Sequence, residues 1–114
     1  MRNPGCGTFI GLIVIFCGVL ANAVAAELLE FRVAIEQHRF TPAVLEIPAG
    51  QKLRLIVENR DATPEEFESY DLNREKIVAG KSSIVIFLGP LKAGSYEYFG
   101  DFNPQSARGH LVVK

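Results

Sequence analysis

Short stretches of alternating apolar and polar residues, each ended by a turn signal, constrain the fold of this chain more than any other feature. Apolar side chains occupy every second position in residues 31–35 and again in residues 53–57. A period of two residues is typical of a β-strand that buries one face. Pro48-Ala-Gly50, between these stretches, suits a tight reversal. No segment carries a sustained period of 3.6 residues, so the sequence predicts an all-β fold.

Further short candidate strands complete the pattern. They are residues 44–47, residues 66–68 with Phe67 pointing inward, and residues 76–78, 84–88, 96–99 and 111–113. Residues 84–88 are apolar at successive positions, which predicts a central strand buried on both faces. About six to eight short strands separated by turns are typical of a β-sandwich or a small barrel. With simple reversals between them, the strands at residues 31–35 and 53–57 would end at the same pole.

The first residues of the chain have the composition of a secretory signal. Arg2 supplies a positive charge, residues 9–20 are an apolar run, and residues 21–26 are small enough for processing. We predict a signal peptide over residues 1–26, with cleavage after residue 25 or 26, and a periplasmic location. An uncleaved membrane anchor is the alternative, although the apolar run is short for a membrane span.

The predicted domain, residues 27–114, has no cysteine. Cys6 and Cys17 both lie in the predicted signal. The domain therefore has neither a disulfide nor a thiolate ligand, although an exported compartment permits disulfides. About 88 residues suffice for one small domain and not for two.

Charge and side-chain spacing exclude several classes of function. Without Arg2, the chain's 12 Lys and Arg residues become 11, against 13 Asp and Glu residues, and no basic run occurs. This balance argues against a nucleic-acid partner. The serines lack a histidine and a carboxylate at a spacing typical of a catalytic triad, and the glycines occur singly. We expect no small organic substrate, and we favour a binding protein over an enzyme.

An ordered set of segments resembles the cupredoxins. The segments that carry this resemblance are Phe40-Thr-Pro42, Ile47-Pro-Ala-Gly50, Val57-Glu-Asn59, Leu91-Lys-Ala-Gly-Ser-Tyr-Glu-Tyr98 and Gly109-His-Leu-Val-Val113. They span nearly all of the predicted domain. The resemblance implies a Greek-key cupredoxin-like β-sandwich with metal ligands at one pole.

The same resemblance implies that the ligands of a blue-copper site are replaced. Such a site needs two imidazoles, a cysteine thiolate and a weak axial ligand. The first histidine aligns near Glu65 or Glu66, and the cysteine aligns with Gly100. The second histidine aligns with Asn103 and the axial methionine with about Ala107. We therefore expect no type 1 copper.

A narrower resemblance links the chain to the cupredoxin-like domain of EfeO-type iron-uptake proteins and to small periplasmic cupredoxins that accompany ferrous-iron permeases. It is carried by Glu66-Phe67-Glu68, Asn73-Arg-Glu-Lys-Ile77 and Gly109-His-Leu-Val-Val-Lys114. It implies that the glutamates contribute to binding of an iron or copper ion. It also implies a partner, either a membrane iron permease or another periplasmic iron-uptake component. The cysteines that assist in such domains align with Phe40 and Gly100, so that part of the site is missing.

Glu66 and Glu68 are the first candidate ligands. In a strand, residues i and i+2 face the same side, roughly 6.5–7 Å apart. Two carboxylates on one face can hold a hard or borderline cation together. The alternative is that both are solvated and paired with Arg74 or Lys76 across a hairpin. Such surface ion pairs contribute about 0–1 kcal/mol to stability.

His38 and Asp101 are the other two candidates, because the predicted topology brings both to the same pole as residues 60–68. The imidazole of His38 suits iron, copper and zinc, or it is an exposed turn residue. Asp101 either adds a carboxylate ligand or caps the turn that follows it.

These observations predict a periplasmic metal-binding accessory protein of bacterial iron uptake, which binds or transfers iron or copper through carboxylates. The alternative is a metal-free module that docks on a permease or partner protein, with residues 65–68 as a recognition patch. A third hypothesis is a ferroxidase with copper as the electron acceptor, and the missing cysteine and second histidine count against it. The chain alone shows no electron acceptor.

Overall fold

The computed structural model describes Gly11 and residues 28–114. The signal predicted for residues 1–26 lies, apart from Gly11, outside the described residues. Within those residues, no helix is long and apolar enough to cross a bilayer. The described part contains nine strands: β1 (Leu29–Glu36), β2 (Arg39–Thr41), β3 (Val44–Ile47), β4 (Leu53–Asn59), β5 (Glu65–Ser69), β6 (Arg74–Val78), β7 (Ser83–Leu88), β8 (Gly94–Gly100) and β9 (Arg108–Val113).

The strands form two sheets that share one core. The four-stranded sheet has the order β2-β1-β4-β7, and the five-stranded sheet has the order β3-β9-β8-β5-β6. Val33 and Leu55 of the first sheet and Phe67 and Leu111 of the second belong to a single buried cluster. The chain passes repeatedly from one sheet to the other, as in Greek-key sandwiches. The predicted all-β sandwich is confirmed.

The pairing of β1 with β4 fixes which loops meet. These two strands run parallel, with Ile35 opposite Asn59, so they end at the same pole, as the sequence predicted. The backbone N–H groups of Gln37 and His38 donate to the Asp61 carboxylate at 2.8 and 3.0 Å. We call this end, with residues 37–38, 60–65 and 101–107, the loop pole.

Three aromatic rings from both sheets pack together in the core. The Phe40 ring meets Tyr98 edge-on at 4.9 Å between centroids, and Phe67 stacks on Tyr98 at 5.1 Å. Gly109 lies opposite Tyr98 across the β8–β9 pair. A Cβ atom on Gly109 would lie 2.7 Å from Cε2 of Tyr98, so glycine leaves the space that the ring fills. The rings support the sheet from which the candidate site projects.

The prediction of a central strand at residues 84–88 is wrong. This segment is β7, the edge of the four-stranded sheet, and the Phe87 side chain is 60% exposed. The outer edge of β7 is covered by side chains from β6. Arg74 donates to the carbonyl of Phe87 at 3.1 Å, and Lys76 donates to that of Val85 at 3.5 Å. Cationic side chains over an edge are a common protection against pairing with other chains.

Candidate metal centre

The alternation of β5 separates its side chains into two sets. Glu65, Phe67 and Ser69 are buried on the inner face, whereas Glu66 and Glu68 are half-buried on the outer face. A strand places residues i and i+2 on one side. The sequence prediction that Glu66 and Glu68 share a face therefore holds.

Asp101 joins these glutamates because of the pairing of β5 with β8. Phe67 lies opposite Gly100, so the next residue along the chain, Asp101, reaches the level of Glu66. The backbone N–H of Asp101 donates to the Glu66 carbonyl at 2.9 Å. One carboxylate oxygen from each of Glu66, Glu68 and Asp101 lies within 4.8 Å of the others. We call these three side chains the outer carboxylate cluster.

Glu75 is a fourth carboxylate beside this cluster, and the sequence analysis missed it. It lies on β6 directly opposite Glu68, and it raises the pKa of Glu66. The sequence predicted a return strand beginning at Lys76, whereas β6 begins two residues earlier, at Arg74. The hairpin register, which decides the neighbour of Glu68, was not visible in the apolar pattern.

Both glutamates of this surface have a raised pKa. The hydrogen bond with Glu75, partial loss of water and the charges of Glu75, Asp101 and Glu68 raise the pKa of Glu66 to about 7. Partial loss of water and the charges of Asp101 and Glu75 raise the pKa of Glu68, while a hydrogen bond with Tyr70 acts in the opposite direction. A cation between these oxygens would relieve the same repulsion.

The basic side chains of β6 do not neutralise the cluster. The Arg74 guanidinium donates to the carbonyls of Leu72, Asn73 and Phe87, and the Lys76 ammonium donates to Val85. The ion pairs found in residues 28–114 include none of the cluster's carboxylates. The pairing with Arg74 or Lys76, kept open by the sequence, is not what the structure shows.

His38 lies at the loop pole but outside the cluster. It forms a tight turn with Gln37, in which both residues have positive φ, 52° and 58°, as a two-residue hairpin of the I′ type requires. Its Nδ1 lies 3.6 Å from the Asp61 carboxylate, and its carbonyl accepts from the Ser106 hydroxyl at 2.6 Å. The structure therefore groups three of the four predicted ligands and places His38 beside Asp61. Its ligand role stays a prediction.

The Asp61 carboxylate holds this turn in place. Partial burial acts to raise the pKa of Asp61, but the backbone donors His38 and Gln37 outweigh it, and the pKa lies below its ordinary value. An ionised Asp61 thus fixes the hairpin that carries the imidazole. The sequence could not show this contact, because its partners are 23 and 24 residues apart.

Beneath the cluster, the inner side of the loop pole is filled by Glu65, whose residue exposure is 1%. Its Oε1 accepts from the backbone N–H of Glu66 at 2.9 Å and of Phe102 at 2.8 Å. Its Oε2 accepts from the Asn103 side-chain amide at 2.7 Å. The sequence offered Glu65 as an alignment alternative to Glu66 and as part of a recognition patch over residues 65–68, and it gave no sign of this buried role.

A comparison with protein families matches residues 8–113 to the model of the cupredoxin-like domain. The chain belongs to the cupredoxin-like domain family. This cupredoxin-like protein is also 51% identical, over 87 residues, to an uncharacterised protein of Rickettsia prowazekii. That match covers 76% of this chain and 70% of the relative.

Solved structures show the same fold at low sequence identity. Auracyanin A, a "blue" copper protein from Chloroflexus aurantiacus, matches with a TM-score of 0.65 and 15% identity, over 75% of this chain and 98% of its own. Amicyanin from Paracoccus versutus matches with a TM-score of 0.59 and 21% identity, over 78% of this chain and 83% of its own. A purple cupredoxin from Nitrosopumilus maritimus matches with a TM-score of 0.56 and 20% identity, over 73% of this chain and 98% of its own. The likeness establishes the architecture, and the family suggests a role in metal binding or electron transfer.

Proposed function

We propose that this cupredoxin-like protein is an exported metal-binding accessory of iron uptake that holds an iron or copper ion in the outer carboxylate cluster. The observation that carries the proposal is the convergence of Glu66, Glu68 and Asp101, whose carboxylate oxygens lie within 4.8 Å of one another. Glu75, opposite Glu68 on β6, is a further carboxylate beside the cluster. The export signal, the periplasmic location and the permease partner are expectations from the sequence.

The donor set favours a hard cation. Carboxylate oxygens suit hard metal ions, while thiolates and thioethers select soft ones. Ferric iron is harder than ferrous iron, so anionic oxygen ligands would stabilise the ferric state more. We therefore place iron ahead of copper, and calcium is the competitor that the test must include.

The position of the cluster fits transfer better than storage. Glu66 and Glu68 are half-buried and Asp101 is exposed, so one side of the cluster faces water. A fully buried metal site releases its ion slowly. At a solvent-exposed site, ligands from a partner protein can first replace water molecules that are bound to the ion. An open cluster at the loop pole is therefore consistent with delivery to a membrane permease.

A second candidate function is a metal-free interaction module, and exposed aromatic residues favour it. Tyr70 is 79% exposed and Phe102 is 47% exposed, and both flank the carboxylate cluster in sequence. The Tyr70 ring packs on Phe99 at 5.5 Å, and the Arg108 guanidinium lies 5.1 Å from the Phe99 centroid. Aromatic side chains beside acidic ones would suit a basic surface on a partner protein.

Calorimetric titration of the purified protein separates the two candidates. Ferric ion held by a weak chelator, ferrous ion without oxygen, cupric ion and calcium ion are each titrated into the native protein and into Glu66→Gln/Glu68→Gln. The matched control is Glu46→Gln/Glu97→Gln, which makes the same charge change at two exposed positions of the same sheet.

One saturable site for iron, lost in the cluster variant and kept in the control, is the expected result. Tighter binding of calcium than of either iron ion would reject iron as the cargo. Absence of binding for all four ions would reject metal binding and leave the interaction module.

The proposed role in iron uptake is tested in cells that lack the gene for this protein. We expect the native protein to restore iron uptake and Glu66→Gln/Glu68→Gln to fail to restore it.

A further inference from the structure

The Glu65 carboxylate is a buried anion surrounded by neutral donors. Both of its oxygens are hydrogen-bonded, to the backbone N–H groups of Glu66 and Phe102 and to the Asn103 amide, at 2.7–2.9 Å. Among residues 28–114, the ion pairs do not include Glu65. Burying a charge is costly unless strong hydrogen bonds replace its water. These three donors are therefore what keeps the carboxylate inside the sandwich.

Small residues make room for this carboxylate. A Cβ atom on Gly100 would lie 2.5 Å from Cδ and 2.7 Å from Oε2 of Glu65. It would also lie 2.7 Å from Cβ of Ala107. The space between Gly100 and Ala107 is thus already filled by Glu65, and a larger side chain at residue 100 would collide with it.

The inner side of the loop pole does not fit the copper that the fold family implies. A blue-copper site needs a thiolate, and residues 28–114 contain no cysteine. Gly100, Asn103 and Ala107, which align with copper ligands, instead surround or contact the Glu65 carboxylate. The donors at this place are N–H groups, which bind an anion and repel a cation.

We propose that the Glu65 carboxylate replaces a metal ion as the group that holds residues 101–107, and that it thereby positions Asp101 against Glu66. The first part stands on the buried hydrogen bonds alone. The second part rests on the proposed function, because it concerns the geometry of the outer carboxylate cluster.

A single oxygen connects the two segments that carry the outer ligands. Oε1 of Glu65 accepts from Glu66, which is itself a cluster residue, and from Phe102, which follows Asp101. The hydrogen bond from Asp101 N–H to the Glu66 carbonyl, 2.9 Å, closes the connection on the outer side. Glu65 is therefore a positioning residue for the cluster, and it does not touch the cation.

Amide hydrogen exchange tests the first part without any metal. In a folded Glu65→Ala protein, the Phe102 amide loses its acceptor, and we expect its exchange to become about tenfold faster or more. In Glu65→Gln, the amide oxygen still accepts from Glu66 and Phe102, and Asn103 can rotate to offer its own oxygen to the new NH₂ group. The Phe102 amide should then keep its protection within about threefold.

Iron titration of the same variants tests the second part. Loss of a residue that orients a metal ligand without binding the ion typically weakens metal binding by about ten- to a hundredfold. We expect a loss of about tenfold in Glu65→Ala and of less than about threefold in Glu65→Gln. Equal weakening in both variants would overturn the positioning role.

The outcomes remain separable from those of the proposed function. If the native protein binds no cation, the proposed function fails, and the exchange of Phe102 still decides whether Glu65 holds the loop. If Glu65→Ala does not fold, Asn103→Ala removes one donor and should speed Phe102 exchange by about threefold. Unchanged exchange in a folded Glu65→Ala protein, or in Asn103→Ala where the first variant cannot be used, overturns the proposal.

Copper gives an independent check. When Glu66, Glu68 and Asp101 are replaced by their amides, we expect no stoichiometric cupric site in electron paramagnetic resonance spectra. A cupric site that persists in that variant and disappears with Glu65→Gln would show that Glu65 is a ligand and would overturn the replacement of metal by carboxylate.

Discussion

Glu65 and Glu66 are adjacent in the chain, carry the same side chain and lie on opposite faces of β5. The inner carboxylate has three N–H donors and no ion pair in the described chain. The outer carboxylate faces Glu68, Asp101 and Glu75, and its pKa rises to about 7. N–H donors thus surround the carboxylate on the inner face, whereas other carboxylates surround the one on the outer face. The difference shows that the neighbours, and not the residue type, decide whether a glutamate supports the fold or opposes it.

Stability measurements on Glu65→Ala and Glu66→Ala should show the contrast most strongly. Loss of Glu65 leaves buried donors without an acceptor and should lower the free energy of unfolding by about 3 kcal/mol. Loss of Glu66 removes like-charge repulsion and should leave the stability at pH 8 unchanged or higher. Urea denaturation of both variants measures this, and equal destabilisation would remove the distinction between the two faces.

A side chain at Gly100 should be the next largest perturbation. Gly100→Ala places a Cβ atom against the Glu65 carboxylate, at 2.5 Å from its Cδ before relaxation. We expect a cost of about 2 kcal/mol, in the usual range for overpacking. The cost should be smaller in the Glu65→Ala background, because one of the two close contacts is gone, while the contact with Ala107 remains. A double-mutant cycle measures the coupling, and purely additive costs would contradict it.

The pH dependence of stability should sharpen the comparison further. The pKa of Glu66 is raised from its ordinary value of 4.5 to about 7 in the folded protein. Its proton therefore stabilises the folded state fully below pH 4.5, and this contribution is lost as the pH rises through 7. The free energy of unfolding should fall across this window and fall less steeply in Glu66→Gln.

Asp61 provides the internal control for that measurement. Its pKa lies below its ordinary value of 3.8, so its contribution is present above pH 3.8 and is lost only on further acidification. Asp61→Asn should therefore leave the slope between pH 4.5 and 7 unchanged. If the free energy of unfolding falls equally steeply with pH in Glu66→Gln and in the native protein, groups other than Glu66 cause the fall.

The smallest effect is expected from Tyr70→Phe. The Tyr70 hydroxyl acts to lower the pKa of Glu68, so its removal should move that pKa further upward. Because Tyr70 is largely exposed, the change in stability should stay within about 0.5 kcal/mol. Carbon-detected NMR titration of the Glu68 carboxyl measures the shift of its pKa, and a downward shift would contradict this effect of the hydroxyl.

The sequence predicted the sandwich because burial of one strand face imposes a period of two on apolar residues. The same period predicted that Glu66 and Glu68 share a face, and parallel β1 and β4 brought the loops to one pole. What it could not predict is the surroundings of Glu65. With Phe67 pointing inward, the period places Glu65 on the inner face, but only the fold brings the N–H donors of Phe102 and Asn103 to its carboxylate.

The other misses arise from long-range contacts. Glu75 became a neighbour of the cluster through the β5–β6 register, and His38 was drawn to Asp61 by a tight turn. Residues 84–88 were predicted to be central because they are apolar, whereas β7 is an edge whose Phe87 remains exposed. Apolar composition measures the tendency to be buried, but strand order decides which faces find a partner.

The covered edge of β7 has a consequence for self-association. Of the four edge strands in the described part, β7 is the longest, with 6 residues against 3, 4 and 5 in β2, β3 and β6. Its outward carbonyls at Val85 and Phe87 already accept from Lys76 and Arg74. A strand from another copy would have to displace two cationic side chains before it could continue the sheet. Growth of fibrils by addition of strands is therefore opposed at the edge that is otherwise best suited to start it.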